Sequence, residues 1–394
     1  MPFKMMGCAA IFLVTALCTG AAGAPFIPQS DAEVLERLPF KASDPAMRQL
    51  RALRDQLTAE PENLAAAARL AQGYLEAGRA TSDPRYTGYA QAALAPWWSL
   101  PNPPEEILVL RAAIRQRSHQ FGAALADLAA ALEANPRNAE ALLMRATIFL
   151  VTGDFEHAKA GCAALRPLTQ ELTWVACFAQ VNGATGELRK SYESLRAALD
   201  RSHGATPRMR AWVLTSLAEM AARLGFAQEA DSHFQEALAA SGADSYLLGA
   251  YAGFLLDEGR PKEAVALLGS HLRADPLLLR YALGLRAIQS SGLNARIEEL
   301  RGRFDASRLR GERLHLRDEA LFTLLLLNDP AAALELAREN WRIQKEPADL
   351  RILLEAAIAS RNEAEIEAVK NWVKKTGFED ARLNRIISAP LQPN

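Results

Sequence analysis

The sequence predicts an all-α fold, a right-handed α-solenoid of about eight or nine helical hairpins. The strongest evidence is a repeat, because two segments that begin at Ala211 and Ser245 match position by position at a spacing of 34 residues. A fixed period of roughly 20–50 residues is typical of stacked supersecondary units. Small residues recur where the two helices of a hairpin would cross, and Gly225 and Gly259 recur where the turn between them would lie. No segment shows the alternation of a strand.

Residues 1–24 are the first predicted element, a signal peptide. Lys4 supplies the positive start, and residues 7–19 are apolar but too few to span a bilayer. The small residues that follow offer a cleavage site, although a cut after residue 24 places Pro25 directly behind it, so a cut one or two residues earlier stays open. We therefore expect a periplasmic or secreted protein whose mature chain has no integral membrane segment.

The remaining elements follow from periodicity. Residues 25–45 carry little of it and are predicted to run as an extended N-terminal arm with one short helix. Residues 46–278 hold the clear repeat copies and are predicted to form the solenoid. Residues 279–394 keep helical periodicity but lose several signature positions, so we expect degenerate hairpins and a C-terminal cap there.

The repeat motifs resemble those of tetratricopeptide-repeat (TPR) proteins over roughly residues 46–375. In finer detail the chain is similar to exported proteobacterial TPR proteins, through VLERLP at 34–39, DPRYTGYAQAAL with PWW at 83–98, and LRAAIRQ at 110–116. The resemblance implies a non-enzymatic scaffold or adaptor that binds a protein or peptide segment and assists the assembly of an envelope complex. It does not select a partner.

Two cysteines, Cys162 and Cys177, are left after removal of the signal peptide. In repeat register they lie on the second helix of one hairpin and the first helix of the next, which face each other in a stack. In an oxidising compartment we expect them to form a disulfide, and closing such a loop would contribute about 3 kcal/mol. Two buried free thiols are the alternative.

The segment at residues 79–90 interrupts the period and is predicted to form a protruding loop within one hairpin. Arg85, Tyr86 and Tyr89, with the tryptophans at 97 and 98, are residue types enriched at binding hot spots. The alternative is that Trp97 and Trp98 fill the joint between two hairpins, while Asp83 and Arg85 cap helix ends. An exposed platform of these rings would instead indicate a glycan-binding protein or a regulatory subunit of a periplasmic enzyme.

Arg111 and Arg145 occupy a repeat position that holds a leucine and a tyrosine in the clear copies. Arg115 and His119 follow Arg111 at i+4 spacing, and Asp127 lies within reach. Arginines at a normally buried position must be paired. They form an internal ion network, or they point into the groove and clamp an anionic group such as a peptide C-terminus.

The first helix of each hairpin is predicted to line a concave face that is left free for a guest. Its mixture of side chains suits a peptide, and neither charge dominates. In repeat register this wall takes Val109, Gln116, Leu143, Thr147, Leu150, Gln180, Trp212, Thr215, Glu219, Tyr246 and Asp257. The predicted partner-binding residues are Arg85, Tyr86, Tyr89, Arg111, Arg115, Gln116, Arg145, Thr147, Gln180, Trp212, Glu219 and Tyr246.

Other classes of function find little support in the sequence. A net charge of −1 excludes a broad electrostatic attraction to nucleic acid, and the arginine-rich run at 296–317 is balanced by acidic residues. The motifs of serine hydrolases, phosphate-binding loops and zinc proteases are missing from the sequence. Its six histidines are dispersed over different hairpins. We therefore predict neither catalytic residues nor a cofactor nor a metal site.

Overall fold

The computed structural model describes residues 30, 32, 43–242, 244–312 and 315–388, so the predicted signal peptide and most of the predicted arm lie outside it. Twenty-one helices and no strand occur in the described part of the chain, which confirms the all-α prediction. The helices are α1 (Pro45–Ala59), α2 (Leu64–Thr81), α3 (Arg85–Ala93), α4 (Ala95–Trp98), α5 (Glu105–Arg117), α6 (Phe121–Ala134), α7 (Ala139–Thr152), α8 (Phe155–Leu165), α9 (Glu171–Gly183), α10 (Leu188–Arg201), α11 (Pro207–Leu224), α12 (Ala227–Ser241), α13 (Ser245–Asp257), α14 (Pro261–Leu268), α15 (Asp275–Ala287), α16 (Leu293–Leu309), α17 (Leu316–Leu325), α18 (Pro330–Ile343), α19 (Pro347–Ala359), α20 (Glu363–Thr376) and α21 (Ala381–Ser388).

Within the described residues, nine consecutive helical hairpins build the solenoid, in agreement with the predicted eight or nine. They are α2/α3 and then every pair from α5/α6 to α19/α20, and each hairpin packs on the next one along the chain. We call α2 and the odd-numbered helices from α5 to α19 the first helices, and their partners the second helices. Helix α1 packs on α2, and α21 follows the last hairpin.

Each of the nine hairpin turns contains one residue with positive φ. Four of them are the expected glycines, with φ between 70° and 88°: Gly153, Gly186, Gly225 and Gly259. In the other five turns a residue with a side chain adopts φ between 51° and 55°: Ser82, His119, Gln289, Asn328 and Arg361. A left-handed backbone costs such a residue roughly 1–2 kcal/mol, so the packing of the two helices must impose the turn. The hairpin geometry therefore persists where the glycine signature is lost.

Polar side chains begin several of these helices. Asn138 and Asp244 accept hydrogen bonds from the first-turn amides of α7 and α13, and Asp154 and Asp329 do the same for α8 and α18. Such caps satisfy amides that have no partner within the helix. The helix boundaries thus follow from local chemistry.

The disulfide between Cys162 and Cys177 joins α8 to α9, with 5.5 Å between the two Cα atoms. The expected pairing is confirmed. Both cysteines are buried, and they lie in the apolar cluster formed by α5–α9. The bond therefore crosslinks two neighbouring hairpins within a packed core.

The predicted protruding loop at residues 79–90 is wrong. Helix α2 continues to Thr81 and α3 begins at Arg85, so three residues join them. The extra residues extend the helices, because the α2 sequence is rich in alanine and favours helix. Gly78 does not mark the turn but lies inside α2, where a Cβ atom would be 3.0 Å from the Cβ of Tyr86. That glycine allows α2 and α3 to approach closely.

In the described part of the chain, no helix combines the length and the apolar character needed to cross a membrane.

Candidate functional site

The first helices α9, α11 and α13 bring several predicted wall residues together. The side-chain amide of Gln180 on α9 donates to the Ser216 hydroxyl on α11 at 2.8 Å. The Tyr246 hydroxyl on α13 donates to the Glu219 carboxylate on α11, also at 2.8 Å. Neighbouring hairpins are therefore linked by side chains on their inner side.

Two aromatic side chains of this wall remain accessible, whereas most large apolar residues are buried. Tyr246 is 59 % exposed and Trp212 is 39 % exposed. Trp212 and Glu219 are seven residues apart on α11, which places them on the same face of the helix, two turns apart. Val109 and Thr215 are buried, so those two predicted wall residues are wrong.

The C-terminal hairpins provide an opposite wall. Burial raises the pKa of Glu219 to about 7, against the hydrogen bond from Tyr246, and the Glu346 carboxylate at the start of α19 adds to the rise. The carboxylate of Glu219 raises the pKa of Tyr246, as do burial and Glu346, whereas Arg317 on α17 lowers it. Tyr246 is therefore exposed and yet within electrostatic reach of charged groups on α11, α17 and α19. We call the space between Glu219 and Tyr246 on one side and Arg317 and Glu346 on the other the inner hollow.

Arg317 is held by carboxylates of its own wall. It donates to Glu346 at 2.8 Å and to Asp349 at 3.4 Å. Burial alone would lower the pKa of Arg317, but Asp349 and Glu346 raise it above its ordinary value. Asp349 is fully buried and also accepts from Asn340 at 2.8 Å, and burial raises its pKa to about 6. The basic group of this wall is therefore already neutralised.

Hydrogen bonds to backbone carbonyls and a cation–ring contact join the C-terminal hairpins to the helix ends of the middle hairpins. The amide of Lys345 donates to the Val151 carbonyl at 2.7 Å. The Arg223 guanidinium donates to the Glu379 carbonyl at 3.0 Å and lies 4.4 Å from the centre of the Phe378 ring. These contacts tie the ends of α7 and α11 to the C-terminal segment.

Ion pairs complete the same junction. Arg382 binds Asp257 at 2.5 Å and Glu258 at 3.0 Å, and Arg351 binds Asp257 at 2.8 Å. We call Lys345, Arg351 and residues 377–382 the C-terminal clasp. It engages Asp257, a predicted wall residue, so the expectation of an entirely free concave face is wrong. The pairs join residues far apart in the sequence, which is why the repeat pattern did not indicate them.

The N-terminal hairpin contacts the opposite ends of the middle helices. Arg208 at the start of α11 pairs with Glu76 on α2 at 3.0 Å. The Ser245 hydroxyl at the start of α13 donates to the Ala80 carbonyl at 3.2 Å. Helices α11 and α13 are thus held at both ends by distant parts of the chain.

Arg111 belongs to a buried ion network, the first of its two predicted interpretations. It is 7 % exposed, and its guanidinium donates to Asp127 at 2.7 and 3.1 Å and to the Trp98 carbonyl at 2.6 Å. Arg115 adds a bond to the same carboxylate at 2.6 Å. A partner in the groove cannot reach Arg111. His119 lies beyond the end of α5, so its predicted place on the same helix face is wrong.

Arg145 does not repeat this network. It is half-buried and forms no hydrogen bond or ion pair with any other described residue. Gly161 stands 34 residues after Asp127, where an acidic partner would be needed. The Thr147 hydroxyl donates to the Leu143 carbonyl of its own helix at 2.9 Å. Arg145, Thr147 and the half-buried Gln116 stay predicted partner-binding residues.

The aromatic residues near the N-terminus do not form one exposed platform. Trp97 and Trp98 are half-buried against the N-terminal core, as the joint-filling alternative predicts. Tyr86 and Tyr89 pack with Tyr74, at centroid distances of 5.5–6.1 Å, and only Tyr89 of the three is largely exposed. The condition for the glycan-binding alternative is therefore not met.

Arg85 lies at the start of α3 and binds Asp83. Its backbone amide donates to the Asp83 carboxylate at 3.0 Å, and its guanidinium donates to the same carboxylate at 2.6 Å. Asp83 thus accepts from the first amide of α3, whereas Arg85 itself binds Asp83 and caps neither end of α3. The guanidinium is engaged within its own turn, so Arg85 as a partner-binding residue stays a prediction.

Comparisons with known proteins show likeness at the level of structure. No protein-family model matches the sequence, and no curated protein matches it. The solved structure of a Rap protein complexed with Competence and Sporulation Factor shares 14 % identity, covers 84 % of this chain and 97 % of that chain, and gives a TM-score of 0.50. A tetratricopeptide repeat protein from Parabacteroides merdae shares 15 % identity over 60 % of this chain and 91 % of that chain, with a TM-score of 0.45. A TPR protein from Thermus thermophilus shares 24 % identity over 46 % of this chain and 99 % of that chain, with a TM-score of 0.41. Identities this low concern the fold alone.

Proposed function

We propose that this chain, a solenoid with the tetratricopeptide-repeat fold, is an exported, non-enzymatic adaptor that holds a peptide segment of a partner protein in the inner hollow. The observation that carries the proposal is the exposure of Tyr246, whose hydroxyl donates a hydrogen bond to Glu219. Exposed aromatic rings next to polar groups are typical of recognition surfaces. The hydrogen-bonding capacity of Gln180 and Glu219 suits the backbone or side chains of an extended peptide.

Export is supported by the disulfide, because such bonds persist in oxidising compartments and are rare in the cytosol. The signal-like residues 1–24 point the same way. Assistance in the assembly of an envelope complex is the role that we infer for an adaptor in that compartment. The similar Rap protein was solved in complex with a factor, which agrees with a solenoid of this kind holding a second molecule.

Site-specific photo-crosslinking in intact cells tests the proposal. A photoreactive amino acid replaces Tyr246 in the inner hollow, and in a matched variant it replaces Glu133, which is exposed on the second helix α6. We expect crosslinks to a protein partner from position 246 and not from 133. Equal crosslinking from both positions, or none from 246 while the chain is abundant and folded, would contradict the proposal.

A further inference from the structure

Glu219 faces the inner hollow without a counter-ion. Its carboxylate accepts a hydrogen bond from Tyr246 and forms no ion pair with any described residue. Most other carboxylates around the hollow and the clasp do have one, since Asp257 pairs with two arginines and Glu346 pairs with Arg317. A carboxylate that is removed from bulk water without a cation is unfavourable.

The basic groups near Glu219 are committed elsewhere. Arg223, one turn further along α11, donates to the Gly183 and Glu379 carbonyls. Arg317, from α17, is bound by Glu346 and Asp349. Glu346 is already paired with Arg317, so Glu219 is the carboxylate of the hollow that has no ion-pair partner among the described residues.

An accessible aromatic ring accompanies this charge. The Tyr246 hydroxyl donates a hydrogen bond to Glu219, and more than half of the Tyr246 surface is exposed. Aromatic rings attract cations through the negative potential of their faces, and a neighbouring carboxylate strengthens that attraction. Acidic and aromatic groups at one place complement an ammonium or guanidinium group.

We infer that the inner hollow binds a lysine or arginine side chain of the peptide guest, with Glu219 as its counter-ion and the ring of Tyr246 as its aromatic contact. The inference rests on the proposed function and names the chemistry of the guest. It also predicts a proton linkage. A bound cation favours the ionised form of Glu219, so guest binding releases a proton where the empty site is protonated.

The pH dependence follows from the groups that face Glu219. Glu346 raises its pKa, whereas Arg223, Arg317 and the hydrogen bond from Tyr246 lower it, with burial as the dominant cause of the rise to about 7. At pH 6 about a tenth of such carboxyl groups are ionised, and at pH 8 about nine tenths. The affinity for a basic peptide should therefore be about tenfold weaker at pH 6 than at pH 8.

Three fluorescein-labelled octapeptides test the inference by fluorescence anisotropy with the full mature chain. They alternate glycine with lysine, serine or glutamate. We expect the lysine peptide to bind most tightly, with affinity that falls about tenfold between pH 8 and pH 6. Glu219→Gln should weaken this binding about tenfold at pH 8 and remove its pH dependence, whereas Glu133→Gln should leave it unchanged. Circular dichroism verifies that both variants are folded.

Each other outcome overturns the inference. If the serine or glutamate peptide binds as tightly as the lysine peptide, the hollow holds peptides without a preference for cations, and the proposed function stands without this inference. If Glu219→Gln binds the lysine peptide like the wild type, the cation lies elsewhere. If spermidine competes with the lysine peptide as strongly per positive charge, and photo-crosslinking in cells captures no protein partner, the ligand is a free polyamine. If no peptide binds and crosslinking at position 246 also fails, the proposed function falls as well.

Discussion

The buried ion network of α5 and α6 gives the sharpest test of how the N-terminal half is stabilised. Asp127 is buried and accepts hydrogen bonds from both Arg111 and Arg115. Asp127→Ala would leave the Arg111 guanidinium inside the core with the Trp98 carbonyl as its nearest acceptor. Removal of one partner from a buried ion pair destabilises a protein by about 3–5 kcal/mol, and we expect Asp127→Ala to fall in that range.

The reverse substitution should be milder. Arg111→Met leaves Asp127 with its bond to Arg115 at 2.6 Å, and a methionine fills part of the vacated volume. The loss should then be about 1–3 kcal/mol, the cost of an unsatisfied acceptor and one lost hydrogen bond. The double variant Arg111→Met, Asp127→Leu should recover much of the loss, because apolar residues of similar volume often replace a buried ion pair without harm.

Urea unfolding, followed by circular dichroism, measures the free energy of unfolding. Amide exchange of α5 and α6 shows whether the loss of stability lies in this hairpin, since a solenoid can unfold by segments. Glu133→Ala on the exposed side of α6 is the control and should change stability by no more than about 0.5 kcal/mol. Unchanged stability of Arg111→Met together with a loss of partner capture would contradict a structural role of Arg111. That result would place Arg111 in the groove.

Three further predictions concern the disulfide, the inner hollow and the clasp. Replacing both Cys162 and Cys177 by alanine should destabilise the chain by about 3 kcal/mol, and an unchanged Tm in a thermal scan would contradict this. The folded-state pKa of Glu219 lies above its unfolded value of 4.5, so the protonated carboxyl group stabilises the fold fully below pH 4.5, and this stabilisation is lost as the pH rises through about 7. The urea midpoint of the wild type should therefore fall relative to that of Glu219→Gln over this pH range. Midpoints that run parallel for the two proteins would contradict this linkage. Gly377→Ala places a Cβ atom 3.3 Å from the Gly186 Cα, whereas the control Gly259→Ala has the same φ of 70° and no non-neighbouring atom within 4 Å of the new Cβ. Both variants should lose roughly 1 kcal/mol of stability because of the left-handed backbone, but only Gly377→Ala should show faster amide exchange in residues 377–388. Identical exchange in the two variants would exclude a tight clasp.

The repeat architecture was predictable because it is periodic. Spacing and residue size indicated the hairpins, and the register placed Cys162 opposite Cys177. Residue type indicated that Arg111 requires a partner, because a charged group at an apolar repeat position must be paired, but it left open whether Asp127 or a guest provides that partner. Each of these inferences needed information from one hairpin or from two adjacent ones.

The clasp was not predictable in this way. Its bonds join residues 94 to 194 positions apart, such as Arg351 with Asp257 and Lys345 with Val151. Single ion pairs of this kind leave no periodic trace in one sequence. The loop prediction at residues 79–90 is wrong for a different reason. The interruption of the repeat period does not interrupt the helix, because the α2 sequence strongly favours helix.

The two walls of the inner hollow illustrate the same limit. Tyr246 and Glu219 lie at wall positions of the clear repeats and were predicted. Arg317 and Glu346 lie 11 and 15 residues before the turn residues of their hairpins, which are not wall positions in the clear copies. Repeat register therefore indicated one side of the site and missed the other.

Hydrogen–deuterium exchange of the full mature chain, with and without the alternating glycine–lysine peptide, shows where the peptide binds. If the peptide lies in the inner hollow, exchange should slow at α11 and α13 and also at the starts of α17 and α19, and it should stay unchanged in the second helices α6 and α12. Protection confined to the second helices, or to one wall of the hollow, would show that the peptide does not lie between the two walls.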